Sequence, residues 1–218
     1  FATLLNPGDE VIIPTPCWVS YVDQVKMVDA VPVTFQTTEA NDFKATVEQL
    51  EAARTEKTKL ILLNSPSNPT GMIYSREELE AIGAWALEHD ILILADDIYG
   101  RLVYNGHEFT AISSLSEALR KQTIVVNGVS KTYAMTGWRV GFAVAEPEII
   151  AGMAKIISQT TSNLTAVSQY AAIEALTGDQ SSIETMRQAF EERLNTIYPL
   201  LAEIPGFEVI KPQGAFYL

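Results

Sequence analysis

The chain has 218 residues, 47% of them apolar and 19% charged, with a net charge of −12, a globular balance that argues against a disordered tail. A pI near 4.6 argues against a surface that tracks nucleic-acid phosphates, since such surfaces are built from Lys and Arg. No apolar run nears the ~20 residues of a membrane-spanning helix, and Cys17, His89 and His107 leave no internal disulfide and a poor supply of metal ligands.

In chain order, Phe1–Leu5 reads as the last turn of an apolar helix, stopped at Pro7-Gly8. Glu10–Ile13 reads as a strand, Val19–Val28 as a helix, Val31–Phe35 as a strand and Ala45–Ala53 as a helix. Lys59–Leu63 is a continuous apolar strand, and Ser75–His89 a helix opened by a capping box of Ser75 and Glu78, with Leu79, Ile82 and Leu87 as its apolar stripe. Ile91–Ala95, Thr123–Val126 and Gly141–Ala145 are further strands. Glu148–Leu201 is nearly all helical, with a break near Gly178-Asp179. Strands that are apolar throughout and spaced by helices predict an α/β fold with a mostly parallel sheet covered on both faces. Gly214–Leu218 ends inside a strand-like apolar run, so the chain reads as a piece of a longer protein. The first residues lack the basic start and cleavage site of a signal peptide, which with the single cysteine predicts a cytoplasmic protein.

Three of these strands run directly into polar clusters. Asn64–Gly71 follows Leu63, Asp96–Gly100 follows Ala95, and Asn127–Lys131 follows Val126, with Arg139 eight positions past the lysine. In open α/β sheets, ligands collect at the carboxyl ends of parallel strands. An amide, a carboxylate, a phenol, a hydroxyl, an amine and a guanidinium therefore meet at one edge if these strands are neighbours. The Lys131 amine can form a Schiff base with an aldehyde. A partly buried Asp96 wants a cation such as a protonated ring nitrogen. Ser130 and Arg139 can hold a phosphate, and Tyr99 and Asn68 can donate to a phenolate oxygen. Pyridoxal 5′-phosphate carries all four groups. A P-loop reading of Val129–Thr132 fails, because Ser130 stands where a glycine is required.

The segments Asn64–Gly71, Ala95–Tyr99 and Ser130–Gly141, in this order, closely resemble the fold-type I, class I and II aminotransferases, and the bacterial aspartate aminotransferases in particular. The resemblance runs from Asn6 to Tyr217. It implies a three-layer α/β/α large domain with a mostly parallel mixed sheet over residues 1–180, and a linking helix and truncated start of a small domain over 181–218. Lys131 matches the Schiff-base lysine that shuttles the substrate proton. Asp96 matches the partner of the pyridine nitrogen, which keeps the ring an electron sink. Tyr99 and Asn68 match the ligands of the ring oxygen, Asn68 also reaching the substrate carboxylate. Ser130 and Arg139 match phosphate ligands, and Trp18 matches the aromatic stacked on the ring, near the substrate. The Asn68-Pro69 bond is often cis in such proteins.

The resemblance implies amino-group transfer between an L-amino acid, aspartate first, and a 2-oxo acid, 2-oxoglutarate, in a homodimer. It also places a second phosphate-binding loop and a partner-subunit tyrosine before Phe1, and a carboxylate-binding arginine after Leu218. No metal is expected. Asp97, adjacent to Asp96, reads as a structural or surface carboxylate, and Cys17 as a small buried apolar residue. Two rival functions are a pyridoxal-phosphate-dependent β-C–S lyase and a non-catalytic regulatory module that keeps an aminotransferase-like domain.

Overall fold

On strand β3 (Thr58–Asn64), Leu60 and Leu62 face one side of the sheet and Ile61 and Leu63 the other, and all four are buried. That is why the segment reads as unbroken apolar sequence: with helices on both faces, the alternation of a strand leaves no wet side. The structure, a computed structural model, describes residues 1–218. Its six-stranded sheet has the order β2 (Val31–Gln36), β1 (Glu10–Thr15), β3, β4 (Leu92–Asp96), β5 (Thr123–Gly128) and β6 (Gly141–Val144). The first five strands in this order are parallel, and β6 runs antiparallel to β5. Pro32, which cannot donate to a ladder, lies on the edge strand β2.

Eight α-helices accompany the sheet. On one face, Leu50 of α2 (Val47–Ala53), Leu79, Ile82 and Trp85 of α3 (Arg76–Glu88) and Leu119 of α4 (Glu117–Gln122) pack on Ile12, Ile61 and Ile93. On the other, Tyr21 and Val25 of α1 (Ser20–Lys26) pack on Val11, Ile13, Leu60 and Leu94. The result is the α/β/α layering expected. The Ser75–Glu78 capping box forms at the start of α3, and Thr46 with Gln49 makes a second one at α2. The four-residue helix α5 (Val129–Thr132) follows β5 at once.

Two expectations are corrected. The helical run beyond Glu148 breaks twice, giving α6 (Pro147–Thr160), α7 (Ala166–Thr177) and α8 (Ser181–Ala202). The unexpected break contains Ser162 in the left-handed region at φ 63°, a conformation that no glycine or proline announces. Gly214–Leu218 is not a strand: its only ladder contact is one bridge from Gly214 to Val103, and Ala215 turns left-handed at φ 58°. Phe1–Leu5 forms the expected turn, closed by the Leu4 and Leu5 amides on the Phe1 carbonyl. No helix is long and apolar enough to cross a membrane.

Candidate active site

Strand pairing brings the polar clusters to one edge. Asn64 is level with Asp96, Asp96 with Val126, and Gly128 with Gly141. The carboxyl ends of β1, β3, β4 and β5 therefore deliver Trp18, Asn68, Asp96 with Tyr99, and Ser130 with Lys131 to the same side. Because β6 is antiparallel, its start lies at that edge too, so the loop ahead of it supplies Arg139. Every residue named from the sequence (Trp18, Asn68, Asp96, Tyr99, Ser130, Lys131 and Arg139) lines one open cavity of about 460 Å³. The volume suits a small-molecule ligand.

Gly128 makes the Lys131 side of the cavity possible. A Cβ at this position would lie 2.7 Å from the Val140 carbonyl oxygen and 3.1 Å from Gly141 Cα, so only glycine lets β5 and β6 approach as they do. The chain then turns directly into α5, which places Ser130 and Lys131 at the rim. The Lys131 amine meets no carboxylate at ion-pair distance, and sits 5.2 Å from the Phe216 ring centre and 5.8 Å from that of Tyr99. Arg139 is exposed and left-handed at φ 55°, and its guanidinium donates to the Thr136 carbonyl over 2.8 Å without pairing to any acid.

The Asp96 carboxylate is partly buried and has no cationic partner in the protein. Its Oδ2 accepts from the Tyr21 hydroxyl at 2.7 Å and its Oδ1 from the Ile98 amide at 3.2 Å. Burial raises the Asp96 pKa, and those two hydrogen bonds pull it partly back. Asp97 is not a surface group: it is buried, and desolvation, then the neighbouring Asp96 charge, pushes its carboxyl up to about 7. Tyr99 is 3% exposed, and burial followed by its bond to Tyr217 raises its phenol well above the ordinary range. The Asn68-Pro69 bond is cis, as are Thr15-Pro16 and Ser65-Pro66. Trp18, 40% exposed, meets Tyr21 edge-on with ring centres 5.2 Å apart. Cys17 is partly buried against the apolar cluster on the α1 face.

Three participants were not singled out from the sequence. Tyr21 crosses from α1 to Asp96. Asn64 joins two parts of the site, its Oδ1 accepting from the Asn68 amide at 2.7 Å and its Nδ2 donating to the Asp96 carbonyl at 2.8 Å. Tyr217 lines the cavity with its hydroxyl 2.6 Å from that of Tyr99. Tyr21 lies three positions after Trp18, a spacing that places it near the site but does not reveal its bond to Asp96. Tyr217 carried no such signal, since its segment reads as an apolar strand.

The family model "Aminotransferase class I and II" matches residues 1–218. The chain is 74% identical over 217 residues to an asparagine–oxo-acid transaminase of Streptococcus mutans, covering 100% of this chain and 55% of the relative. It is 58% identical over 218 residues to an aspartate aminotransferase of Bacillus sp. strain YM-2, covering 100% of this chain and 56% of the relative. In structure it is similar to the aspartate aminotransferase of Rhizobium meliloti, with a TM-score of 0.96, 41% identity and coverage of 98% of this chain and 54% of the other. The chain thus spans little more than half the length of the relatives it matches.

Proposed function

We propose, from the premise that this chain belongs to the class I and II aminotransferases, that its protein transfers an amino group between L-aspartate and 2-oxoglutarate with pyridoxal phosphate as cofactor. The observation that carries the reading is the convergence of an unpaired amine, an acid without a cation, a phenol, an amide, a hydroxyl and an unpaired guanidinium on one cavity. That donor set fits the cofactor group by group. Asp96, partly buried and with a raised pKa, is suited to a protonated ring nitrogen, which would restore its charged form. When bound, pyridoxal phosphate supplies an aldehyde that takes up the amino group and a ring that accepts the electron pair left when the substrate Cα–H bond breaks.

The residues divide the remaining work. Lys131 Nζ, free of any acid, would be the amine that holds the aldehyde end of the cofactor and the base that would move the substrate Cα proton. Asp96 holds the ring nitrogen, oriented by Tyr21 and the Ile98 amide. Tyr99 and Asn68 donate to the ring oxygen, and Asn68 also meets the substrate carboxylate. Ser130 and Arg139 hold the phosphate. Trp18, on the cavity wall, would hold the ring by stacking. The same reading assigns residues 1–180 to a cofactor-binding domain, and 181–218, beginning with α8, to a linking helix and the start of a small domain. It makes the protein a cytoplasmic homodimer, for which the exposed apolar row Val167, Tyr170 and Ile173 on α7 is a suitable covered surface.

A second donor, L-asparagine, is favoured by the transaminase at 74% identity. Assaying the full-length protein with 2-oxoglutarate and each donor in turn decides between them. Borohydride reduction with pyridoxal phosphate, followed by peptide mapping, should label Lys131 and no other lysine. A Lys131→Ala protein should fold, escape labelling and lose transamination. Turnover retained in that variant would sink the assignment, and ammonia and pyruvate released from cystathionine without an oxo acid would point to the lyase instead.

A further inference from the structure

Tyr217 stands on a segment that the fold ties down firmly. The Gln213 and Gly214 amides both donate to the Gly71 carbonyl, at 3.0 and 2.8 Å, and Gln213 Oε1 accepts from the Ile73 amide at 2.9 Å. Gly71 is left-handed at φ 70°, and a Cβ there would lie 2.4 Å from Pro212, so a glycine is what lets the loop after β3 receive this segment. The Ala215 amide donates to the Leu102 carbonyl at 2.9 Å, and the Tyr104 hydroxyl to the Ala215 carbonyl. Two residues past these anchors, Tyr217 meets Tyr99 with ring centres 5.8 Å apart and planes at 80°, and its hydroxyl lies 2.6 Å from the Tyr99 hydroxyl.

Each phenol has one proton to give. Neither hydroxyl has another hydrogen-bond partner in the protein, so the shared bond can run either way. If Tyr99 gives its proton to Tyr217, it faces the cavity only as an acceptor. If Tyr217 gives its proton to Tyr99, the Tyr99 proton is free for the cavity. An anionic oxygen beside Tyr99 settles the direction, because a hydrogen bond to a charged acceptor is the stronger one, and a phenol that is itself accepting donates more strongly.

We propose that Tyr217 is a positioning residue for the cofactor, donating to Tyr99 and so committing the Tyr99 hydroxyl as a donor to the ring oxygen of pyridoxal phosphate. The inference rests on the reading of Tyr99 given under Proposed function. Tyr217 touches neither the ring oxygen nor the reacting carbon in this scheme; it acts through Tyr99.

The test measures equilibrium binding, to the full-length protein, of pyridoxal phosphate and of its analogue lacking the ring hydroxyl. Tyr217→Phe keeps the ring and its edge contact. It should weaken pyridoxal phosphate by about threefold to tenfold, the size of one neutral hydrogen bond, and leave the analogue within about twofold of wild type. Tyr99→Phe should show the same discrimination more strongly, and the double variant should match Tyr99→Phe alone, because the two hydroxyls act in series. A Tyr217→Phe protein that binds both compounds normally, or loses both alike, overturns the proposal while the reading of Tyr99 stands, as does a double variant whose losses multiply. A Tyr99→Phe protein that fails to discriminate between the two compounds overturns the reading of Tyr99, and the proposal with it.

Discussion

The Tyr21 hydroxyl donates to Asp96 Oδ2 over 2.7 Å, a bond that reaches from the helix after β1, past β3, to the end of β4. Tyr21 is 4% exposed, and burial followed by the Asp96 charge lifts its phenol far above the ordinary range, so it stays a donor at every working pH. Tyr21→Phe removes this donor and keeps the edge contact with Trp18. With one hydrogen bond fewer, the Asp96 pKa rises further. The variant should lose about 1.5–3 kcal/mol of stability at pH 8, measured by urea unfolding, the range for a hydrogen bond to a charged group. The loss should shrink as pH falls through the Asp96 titration, since a neutral acid depends less on the donor. A loss that is the same at both ends of that range would mean the bond acts on packing and not on charge.

Asp97 gives a stability prediction of the opposite sign. Its carboxyl is raised from 3.8 to about 7, first by burial and then by Asp96. Between those two values the folded chain binds more protons than the unfolded one, so stability falls as pH rises from about 4 to about 7 and stays low above that. Asp97→Asn removes the charge and should raise stability at pH 8. The gain should be on the order of 1–2 kcal/mol, less than the full shift implies because the amide must also be desolvated. Near pH 4 the variant and wild type should unfold at the same urea concentration. A variant less stable than wild type at pH 8 would show that the Asp97 charge is held by a favourable contact.

The contrast between these neighbours shows what could be read in advance. Lys131, Asp96, Asn68 and Tyr99 were legible because each follows an apolar strand within a few residues, and parallel strands place such residues at one edge. Arg139 was legible from its spacing to Lys131. Tyr21 depends on β1 lying beyond β3 from β4, a strand order that no local pattern encodes. The burial of Asp97 depends on the same packing. Tyr217 is 118 residues from Tyr99, and its apolar surroundings read as a strand because the left-handed residue there is Ala215 and not the glycine before it. Alternation and capping are local and were read correctly at β3 and α3; contacts across the sheet edge are not local.

Gly128 links the sheet to the site. Gly128→Ala would press its methyl against the Val140 carbonyl and Gly141 Cα, backbone atoms that cannot rotate aside. β5 and β6 must then separate, at a cost of about 1–3 kcal/mol, typical of overpacking. The same separation moves Lys131, just after β5, away from Arg139, just before β6. Cofactor affinity should therefore fall along with thermal stability. A variant that loses stability and keeps cofactor affinity would show that the two residues need not hold their spacing.

Arg139 offers a prediction specific to the phosphate. Its guanidinium spends one donor on the Thr136 carbonyl and keeps the rest of the fork free at the cavity. Lysine at this position retains the charge and loses the paired donors that match two phosphate oxygens. Arg139→Lys should weaken pyridoxal phosphate by about tenfold, near the difference between a paired and a single charge-assisted bond. Binding of pyridoxal, which lacks the phosphate, should be unchanged. Because Arg139 is exposed and makes no ion pair, the substitution should move stability by less than about 0.5 kcal/mol, so lost affinity cannot be blamed on unfolding. Equal weakening of both compounds would place Arg139 on the ring and leave Ser130 as the phosphate ligand on this side of the cavity.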